Sequence, residues 1–267
     1  MKKVVFVLLV IFISCSPSTR RLNIYWWKDT EGWELARAVG DGDTCRINRI
    51  LQDNKISVDY REPNSGESLL AWAVVTNNEK MVRFLLSKGA NPNLHNWNDG
   101  GSPIVVASEL SSCSINILKL LLDAGGNPND HVLETDSIRN PIFLQLPYLD
   151  VDSNKIVLSR IVRTPLNSTN DLSKIKLLLD YGADIDFATI PGETALNQAC
   201  QLDVIKYLLV DCHADYRNSY TVTVDSDTIY FVDSLSKRPM RECREDSIII
   251  RQIYHYLQSK GEKMPNW

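Results

Sequence analysis

Apolar positions in residues 66–93 form two short runs, and the second run ends at a glycine. The first run covers Leu69 to Val74. The second run places its apolar residues at helical spacing, at Met81, Val82, Phe84, Leu85 and Leu86. Such spacing gives a short helix one wide apolar face. Gly89 follows where a helix commonly ends with a residue of positive φ, and Asn77 with Asn78 favours a tight turn between the runs. The pattern predicts a helix, a turn, a second helix and an extended loop.

The same unit recurs three more times along the chain. The second runs read ILKLLLDAGGNPN at 117–129, IKLLLDYGADID at 175–186 and VIKYLLVDCHADY at 204–216. Gly125 and Gly182 repeat the glycine stop, and His213 takes its place in the last copy. The units open alike, with Gly66-Glu-Ser-Leu-Leu, Gly101-Ser-Pro-Ile, Asn140-Pro-Ile and Gly192-Glu-Thr-Ala-Leu. A period of about 33 residues with a T-P-L-H-like opening is typical of ankyrin repeats. From about Glu31 to the C-terminus the chain resembles the ankyrin-repeat family.

The resemblance implies an all-α solenoid of about six helix-turn-helix units with β-hairpin loops between them. In such a solenoid each unit contacts only its neighbours. We place the ankyrin-repeat domain at 31–267, with repeats at about 32–65, 66–100, 101–139, 140–191, 192–227 and 228–267, of which the first and last are degenerate caps. The fourth unit is longest. Its first helix is expected at 141–149, and residues 150–171 are expected to be an insert that is either functional or a tolerated surface loop.

The N-terminus has the pattern of a targeting segment. Lys2 and Lys3 precede a ten-residue apolar run, which is too short to span a bilayer and suits a signal peptide. Phe12-Ile13-Ser14-Cys15 resembles the cleavage site of bacterial lipoproteins, although Phe12 replaces the usual leucine. The resemblance implies a signal peptide at 1–14 and lipidation of Cys15. The alternative is plain secretion with an unmodified Cys15.

Residues 15–30 are predicted to be a lipidated tether that ends in an aromatic patch, Tyr25-Trp26-Trp27. The patch could be an interfacial anchor, because Trp and Tyr favour the headgroup zone. It could instead fold over the open end of the first repeat, because a solenoid end needs covering, and we prefer that interpretation. At the other end of the chain, alternation over 221–231 predicts a hairpin, and residues 248–261 predict an amphipathic helix with a glycine stop.

Composition and motifs indicate no catalytic chemistry. The net charge is −4 without a basic cluster, so nothing points to nucleic acid. The four histidines have no metal-ligand partners at useful spacing, and no phosphate loop or hydrolase motif is present in the sequence. We expect no cofactor and no metal. Cys200 occupies a position where repeats carry a small buried residue, and we expect a core thiol there. Cys212 with Cys243 is the one disulfide that we consider.

The family resemblance also implies where a partner would bind. Ankyrin repeats present their first helices and hairpin tips to protein partners. Counting from the openings gives the outward first-helix positions, and one tip adds an exposed aromatic. The predicted protein-binding residues are Arg37, Trp72, Trp97, Asn98, Asp99, Val106 and Gln198, and the same count places Leu144 in the fourth unit. Trp and Arg are common among interface hot spots. Each tryptophan could instead pack on its own neighbours.

Together these features predict a non-catalytic protein-binding module that is lipid-anchored in a bacterial cell envelope, at the outer membrane or cell surface rather than the inner membrane. A narrower alternative is an immunity-type or inhibitory protein that neutralises a toxin or an envelope enzyme. An enzyme with its site in the insert and a structural spacer are the remaining alternatives. Fold alone does not decide between them.

Overall fold

The computed structural model describes residues 23–53, 56–97, 100–131, 146–150, 155–159, 163–188, 194–222, 228–236 and 244–264, and gives the backbone alone for both strands in 146–159 and for a few positions near the C-terminus. Several features of the sequence analysis lie outside these residues: the predicted signal peptide, Cys15, Asn98, Asp99, Leu144 and Cys243. The α-helices are α1 (Trp33–Asp41), α2 (Thr44–Gln52), α3 (Leu69–Val75), α4 (Glu79–Ser87), α5 (Pro103–Glu109), α6 (Ile115–Asp123), α7 (Leu172–Asp180), α8 (Ala195–Gln198), α9 (Leu202–Lys206), α10 (Phe231–Ser236) and α11 (Arg244–Ser259). The strands are β1 (Leu146–Asp150), β2 (Lys155–Ser159), β3 (Tyr220–Val222) and β4 (Thr228–Tyr230).

Helix ends follow the local sequence signals. The first helices of the second, third and fifth repeats are capped by Ser68, Ser102 and Thr194, whose hydroxyl oxygens accept a hydrogen bond from the backbone N–H three residues on. Gly89, Gly125 and Gly182 have φ of +86°, +89° and +87°, so the predicted glycine stops are confirmed. His213 adopts a φ of +61° in the equivalent place. These helix pairs therefore begin after a capping side chain and end at a residue in the left-handed conformation.

One continuous apolar core runs through the stacked repeats. In four repeats a leucine of the second helical segment is fully buried, at Leu85, Leu121, Leu178 and Leu208. The first helices α3 and α5 pack against each other, as do the second helices α4 and α6. Burying one such leucine side chain contributes about 2 kcal/mol. The described chain is thus an all-α solenoid, as predicted.

Asparagine and aspartate side chains link the loops of adjacent repeats in a ladder. The Oδ1 atom of Asn93 accepts from the backbone N–H of Asn127 at 2.8 Å, and its Nδ2 donates to the Gly125 carbonyl at 3.0 Å. Asn129 makes the same two bonds, to the Asp184 N–H at 2.7 Å and to the Gly182 carbonyl at 3.0 Å. Asp59 and Asp186 make the acceptor half of this pattern, with the N–H groups of Asn91 and Asp215. The ladder holds adjacent repeats in a fixed offset.

The fourth repeat is organised differently from the prediction. Residues 146–150 form β1, which pairs antiparallel with β2, so the helix expected at 141–149 is wrong for the part that the structure describes. Pro147 disfavours a helix there, because proline lacks the backbone N–H and its ring clashes with the preceding turn. The repeat instead opens at Thr164-Pro-Leu-Asn, where the Thr164 hydroxyl accepts from the Asn167 N–H at 3.2 Å, as Ser68 does from Ala71.

The insertion therefore lies before the fourth repeat, between Asp130 and Arg163, and not between its two helices at 150–171. Leu166 is buried in the common core, which places the 164–168 turn where other repeats have a first helix. Both chain ends of the insertion are fixed. Asp130 is buried beside Ser102, and Arg163 binds Glu109 at 2.6 Å. The hydrogen bond from the Asp184 N–H to Asn129 Oδ1 joins the repeats on either side of the insertion.

The two ends of the chain agree in part with expectation. The predicted C-terminal hairpin is confirmed by the antiparallel pairing of β3 with β4, and the predicted final helix is α11, followed by Gly261 at a φ of +92°. At the N-terminus a 3-10 helix, Ile24–Trp27, packs on α1 with Trp27 fully buried, as expected for a cover on the first repeat. Tyr25 and Trp26 remain exposed.

Candidate protein-binding surface

The outward positions of the first helices reach the surface in three repeats. Arg37 on α1 is exposed, with its Nε 4.0 Å from Asp41 Oδ2. Trp72 on α3 is half-buried, although the residues on both sides of it, Ala71 and Ala73, are buried. Gln198 on α8 is also half-buried. These positions present a cation, an indole ring and an amide to the solvent.

Val106 does not share this exposure. Its side chain is 1 % exposed, so the prediction that it faces a partner is corrected. The reason is that α5 is apolar on every side, and all its residues from Pro103 to Ser108 are buried. A helix that is apolar all round is enclosed rather than amphipathic. The row of outward positions is interrupted at this repeat.

Trp97 packs against the loop of the preceding repeat. Its backbone N–H donates to the Ser65 carbonyl at 2.6 Å, and the Arg61 guanidinium lies 5.5 Å from its ring centroid, a cation–π geometry. Gly66 has a φ of +72°, and a Cβ there would lie 2.6 Å from the indole ring. The glycine therefore makes room for the tryptophan. This contact gives Trp97 a packing role, which accounts for the tryptophan without invoking a second protein.

Below Trp97 two buried glutamates stabilise the loops. The Glu62 carboxylate accepts hydrogen bonds from Asn64 and Ser65, the latter through both its N–H and its hydroxyl at 2.6 Å. Burial alone would raise the pKa of Glu62, but these hydrogen bonds together lower it. Glu67 Oε1 accepts from Asn96 Nδ2 at 2.9 Å. These carboxylates serve the local backbone and are not placed to act on a substrate.

His95, Asp130 and Ser102 form a buried network at the start of the insertion. Asp130 accepts from the Ser102 hydroxyl with one oxygen, and its other oxygen lies 3.1 Å from His95 Nε2. His95 Nδ1 lies 2.8 Å from the Gly100 carbonyl oxygen. In a nucleophilic triad the imidazole lies between hydroxyl and carboxylate, whereas here the carboxylate lies between the other two. This order cannot activate the serine, so the network is structural.

The same geometry favours a charged imidazole. Both ring nitrogens of His95 face oxygen acceptors, and both bonds form together only when both nitrogens carry a proton. The hydrogen bond to Asp130 accordingly raises the pKa of His95 above its usual value of 6.5.

Lys174 is a buried cation that the sequence analysis did not single out. Its side chain is 1 % exposed, and Nζ donates to the carbonyl oxygens of Ala107 at 2.8 Å and Leu110 at 2.7 Å. Desolvation lowers the pKa of Lys174, and burial raises the pKa of the nearby Cys113 thiol to about 11. The signal was its position on the apolar face of α7, one turn before Leu178.

One prediction about the remaining cysteines, the core thiol at Cys200, is wrong. Cys200 is exposed, not buried in the core, because α8 ends after four residues and the extended backbone at Ala199 turns the chain before Cys200. Cys212 is a free thiol among the described residues, and Cys243, its considered partner, lies outside them.

The described residues offer neither a metal site nor a membrane-spanning helix. Among them no group of three or more His, Cys, Asp or Glu side chains is arranged to hold a metal ion. No helix among the described residues has the length and apolarity to cross a membrane.

Comparison with known proteins supports the architecture. A family model described as ankyrin repeats in three copies matches residues 35–131. An ankyrin repeat protein of Rickettsia bellii is 24% identical over 181 residues, which cover 66% of this chain and 26% of that protein. The chain thus spans about a quarter of the length of this curated relative.

Solved structures give the same fold over more of the chain. The crystal structure of an ankyrin repeat domain from Acinetobacter baumannii AYE has a TM-score of 0.57 at 20% identity, and covers 87% of this chain and 100% of that chain. A second ankyrin repeat protein has a TM-score of 0.54 at 22% identity, covering 85% of this chain and 98% of that one. Residues 35–131 match the ankyrin-repeat family model, and the chain has the ankyrin-repeat solenoid fold.

Proposed function

We propose that this protein is a non-catalytic protein-binding module, tethered to a bacterial envelope membrane by a lipid on Cys15. Ankyrin repeats suggest protein partners in general, and the geometry of the first helices supports a particular surface. The observation that carries the proposal is Trp72, which packs against the core on α3 but remains half-buried between two buried neighbours. Large aromatic side chains at such positions are frequent interface hot spots.

The electrostatics of the described residues support binding rather than catalysis. The buried carboxylates are occupied by backbone and amide donors, and the Ser102, Asp130 and His95 network lacks the order that activates a nucleophile. Groups with shifted pKa values, such as Glu62 and Lys174, make hydrogen bonds within and between repeats. The side chains that form the proposed surface are the exposed Arg37 and the half-buried Trp72 and Gln198.

Site-specific photocrosslinking tests the surface. A photoreactive residue in place of Arg37 should capture a protein in intact cells, whereas the same residue in place of Lys80, exposed on α4, should not. In the chain with the photoreactive residue at position 37, the further change Trp72→Ala should remove the captured protein while leaving the fold intact by circular dichroism. Equal capture from positions 37 and 80 would contradict the proposal.

The tether is supported by the order of residues at the N-terminus: two lysines, a ten-residue apolar run and then Ser14-Cys15. Several acyl chains would hold the protein firmly, at about 0.8 kcal/mol for each buried methylene. Mass spectrometry of the purified protein should find a chain that begins at an acylated Cys15. A chain with an unmodified cysteine would reduce the proposal to a secreted binding module.

A further inference from the structure

Two aromatic side chains stand out at the N-terminal end of the solenoid. Tyr25 is 64% exposed and Trp26 is 44% exposed, while the adjacent Trp27 is fully buried. Among the described residues, these two belong to a small set of large hydrophobic side chains that are exposed, and they are consecutive in sequence. A cover for the first repeat needs only Trp27, so the exposure of the other two is left to be explained.

The 3-10 helix that carries these residues is fixed in place. Asn23 Oδ1 accepts from the Tyr25 N–H at 3.0 Å, and the Lys28 N–H donates to the Tyr25 carbonyl at 3.0 Å. The Tyr25 ring lies 5.8 Å from the ring of Trp33 on α1. Trp27 holds the segment against the core. Tyr25 and Trp26 are therefore presented on a rigid platform rather than on a free tail.

The length of the tether limits where this platform can be. Seven residues lie between Cys15 and Asn23, so eight Cα–Cα steps connect them, and a fully extended chain of that length spans at most about 29 Å. If Cys15 carries lipid, the first repeat must stay within this distance of the bilayer surface. Tyr and Trp are enriched at the headgroup level, where the ring is partly desolvated and the polar tip remains hydrated.

We infer that Tyr25 and Trp26 contact the lipid headgroup zone and orient the solenoid on the membrane. This inference rests on the lipid anchor proposed above. Lys28 is exposed on the same segment, but so are Asp29 and Glu31, so the local charge does not select anionic lipid. The aromatic rings supply the attraction, and the contact should form on neutral phosphatidylcholine as well as on anionic bilayers.

Fluorescence quenching by brominated lipid tests this contact. The purified lipoprotein would be reconstituted into phosphatidylcholine vesicles with and without bromine near the headgroup end of the acyl chains. We expect the bromine to quench part of the tryptophan emission, Trp26→Ser to remove most of that quenching, and Trp72→Ser to leave it unchanged. Adding anionic lipid should not increase the quenched fraction.

Two further measurements distinguish failure of the aromatic membrane contact from failure of the lipid anchor. Vesicle flotation and the mass of the N-terminal peptide report the anchor independently of the aromatic residues. A protein that floats with an acylated Cys15, but whose quenching is the same in Trp26→Ser, would overturn the inference and leave the anchor standing. An unacylated protein that stays off the vesicles would overturn both.

Discussion

The junction between the second and third repeats and the junction between the third and fourth repeats differ in the length of their connecting chain. They share the same ladder of hydrogen bonds. The openings Ser68 and Ser102 are 34 positions apart, whereas Ser102 and Thr164 are 62 positions apart. Nevertheless Asn93 and Asn129 make the same pair of hydrogen bonds to the following repeat, with distances that differ by 0.1 Å or less. Stacking of repeats is therefore set by the core and the ladder, and not by the length of the connecting chain.

The junctions differ in their first helices. At the first junction α3 packs on α5 as helix against helix. At the second, the single turn at 164–168 replaces a helix, and the end of α5 is met by Lys174, whose Nζ binds the Ala107 and Leu110 carbonyls. A cation at a helix C-terminus is favourable, because the last carbonyls carry partial negative charge. Lys174 thus donates hydrogen bonds to carbonyl groups at the end of α5, at the junction where the fourth repeat has a single turn in place of a first helix.

Replacing Lys174 should have the largest effect on the second junction. Lys174→Ala leaves a cavity and two buried carbonyls without their donor, and we expect a loss of about 3 kcal/mol in the free energy of unfolding. Lys176→Ala is the control on α7, because Lys176 is exposed and makes a cation–π contact with Tyr207 at 5.0 Å, so its loss should cost no more than about 1 kcal/mol. Urea unfolding monitored by circular dichroism measures both. A loss for Lys174→Ala no larger than that for Lys176→Ala would contradict the role given to the buried lysine.

The ladder gives a direct test of equivalence. Asn93→Ala and Asn129→Ala each remove two partly exposed hydrogen bonds, and each should cost about 1 kcal/mol. The two values should agree within about 0.5 kcal/mol, as for independent equivalent sites. Denaturant midpoints of the two variants provide the comparison. A loss at Asn93 without a loss at Asn129 would mean that the insertion weakens the stack.

A smaller effect should depend on pH. Because the folded pKa of His95 is raised, its bonds to Asp130 and Gly100 contribute fully below the unfolded value of 6.5 and are lost as pH rises through the folded value. The charged groups facing the ring are Asp130, which favours protonation, and Arg61, which opposes it. From pH 6 to above the folded pKa, the wild type should lose on the order of 1 kcal/mol more than His95→Gln.

Thermal melts at pH values on either side of this window measure that difference. His255→Gln, at an exposed position on α11, is the control and should follow the wild type. If the wild type and His95→Gln lose stability in parallel as pH rises, His95 is not the group that titrates.

Much of this architecture could be predicted from sequence, because helical spacing and glycine stops are local signals. The same locality explains the largest error. Matching Asn140-Pro-Ile to an opening gives a plausible period, but it leaves Thr164-Pro-Leu-Asn, a closer match to T-P-L-H, inside the predicted insert at 150–171. The error followed from assuming that insertions lie within a repeat. The hydroxyl cap at Thr164 and the burial of Leu166 identify the true opening.

The candidate surface was less predictable, because exposure depends on what a helix packs against. Trp72 and Val106 occupy equivalent positions in their repeats, yet one is half-exposed and the other is buried. The composition of α5, apolar on every side, was the available signal for the burial of Val106. The pairing of His95 with Asp130 joins residues 35 positions apart, and no local pattern predicts it.

The measurement that tests the continuous stack most directly is excision of the insertion. Residues 132–162, which contain β1 and β2, would be replaced by a short Gly/Ser linker, and hydrogen exchange would be followed at the Asn127 and Asp184 amides. We predict that both amides keep their protection and that unfolding stays cooperative, because shortening a loop changes stability by only about 1 kcal/mol. A control that replaces residues 164–168 with the same linker should lose protection at Asp184. Loss of protection at Asp184 on excision of 132–162 would contradict the account, since it would make the insertion part of the stack.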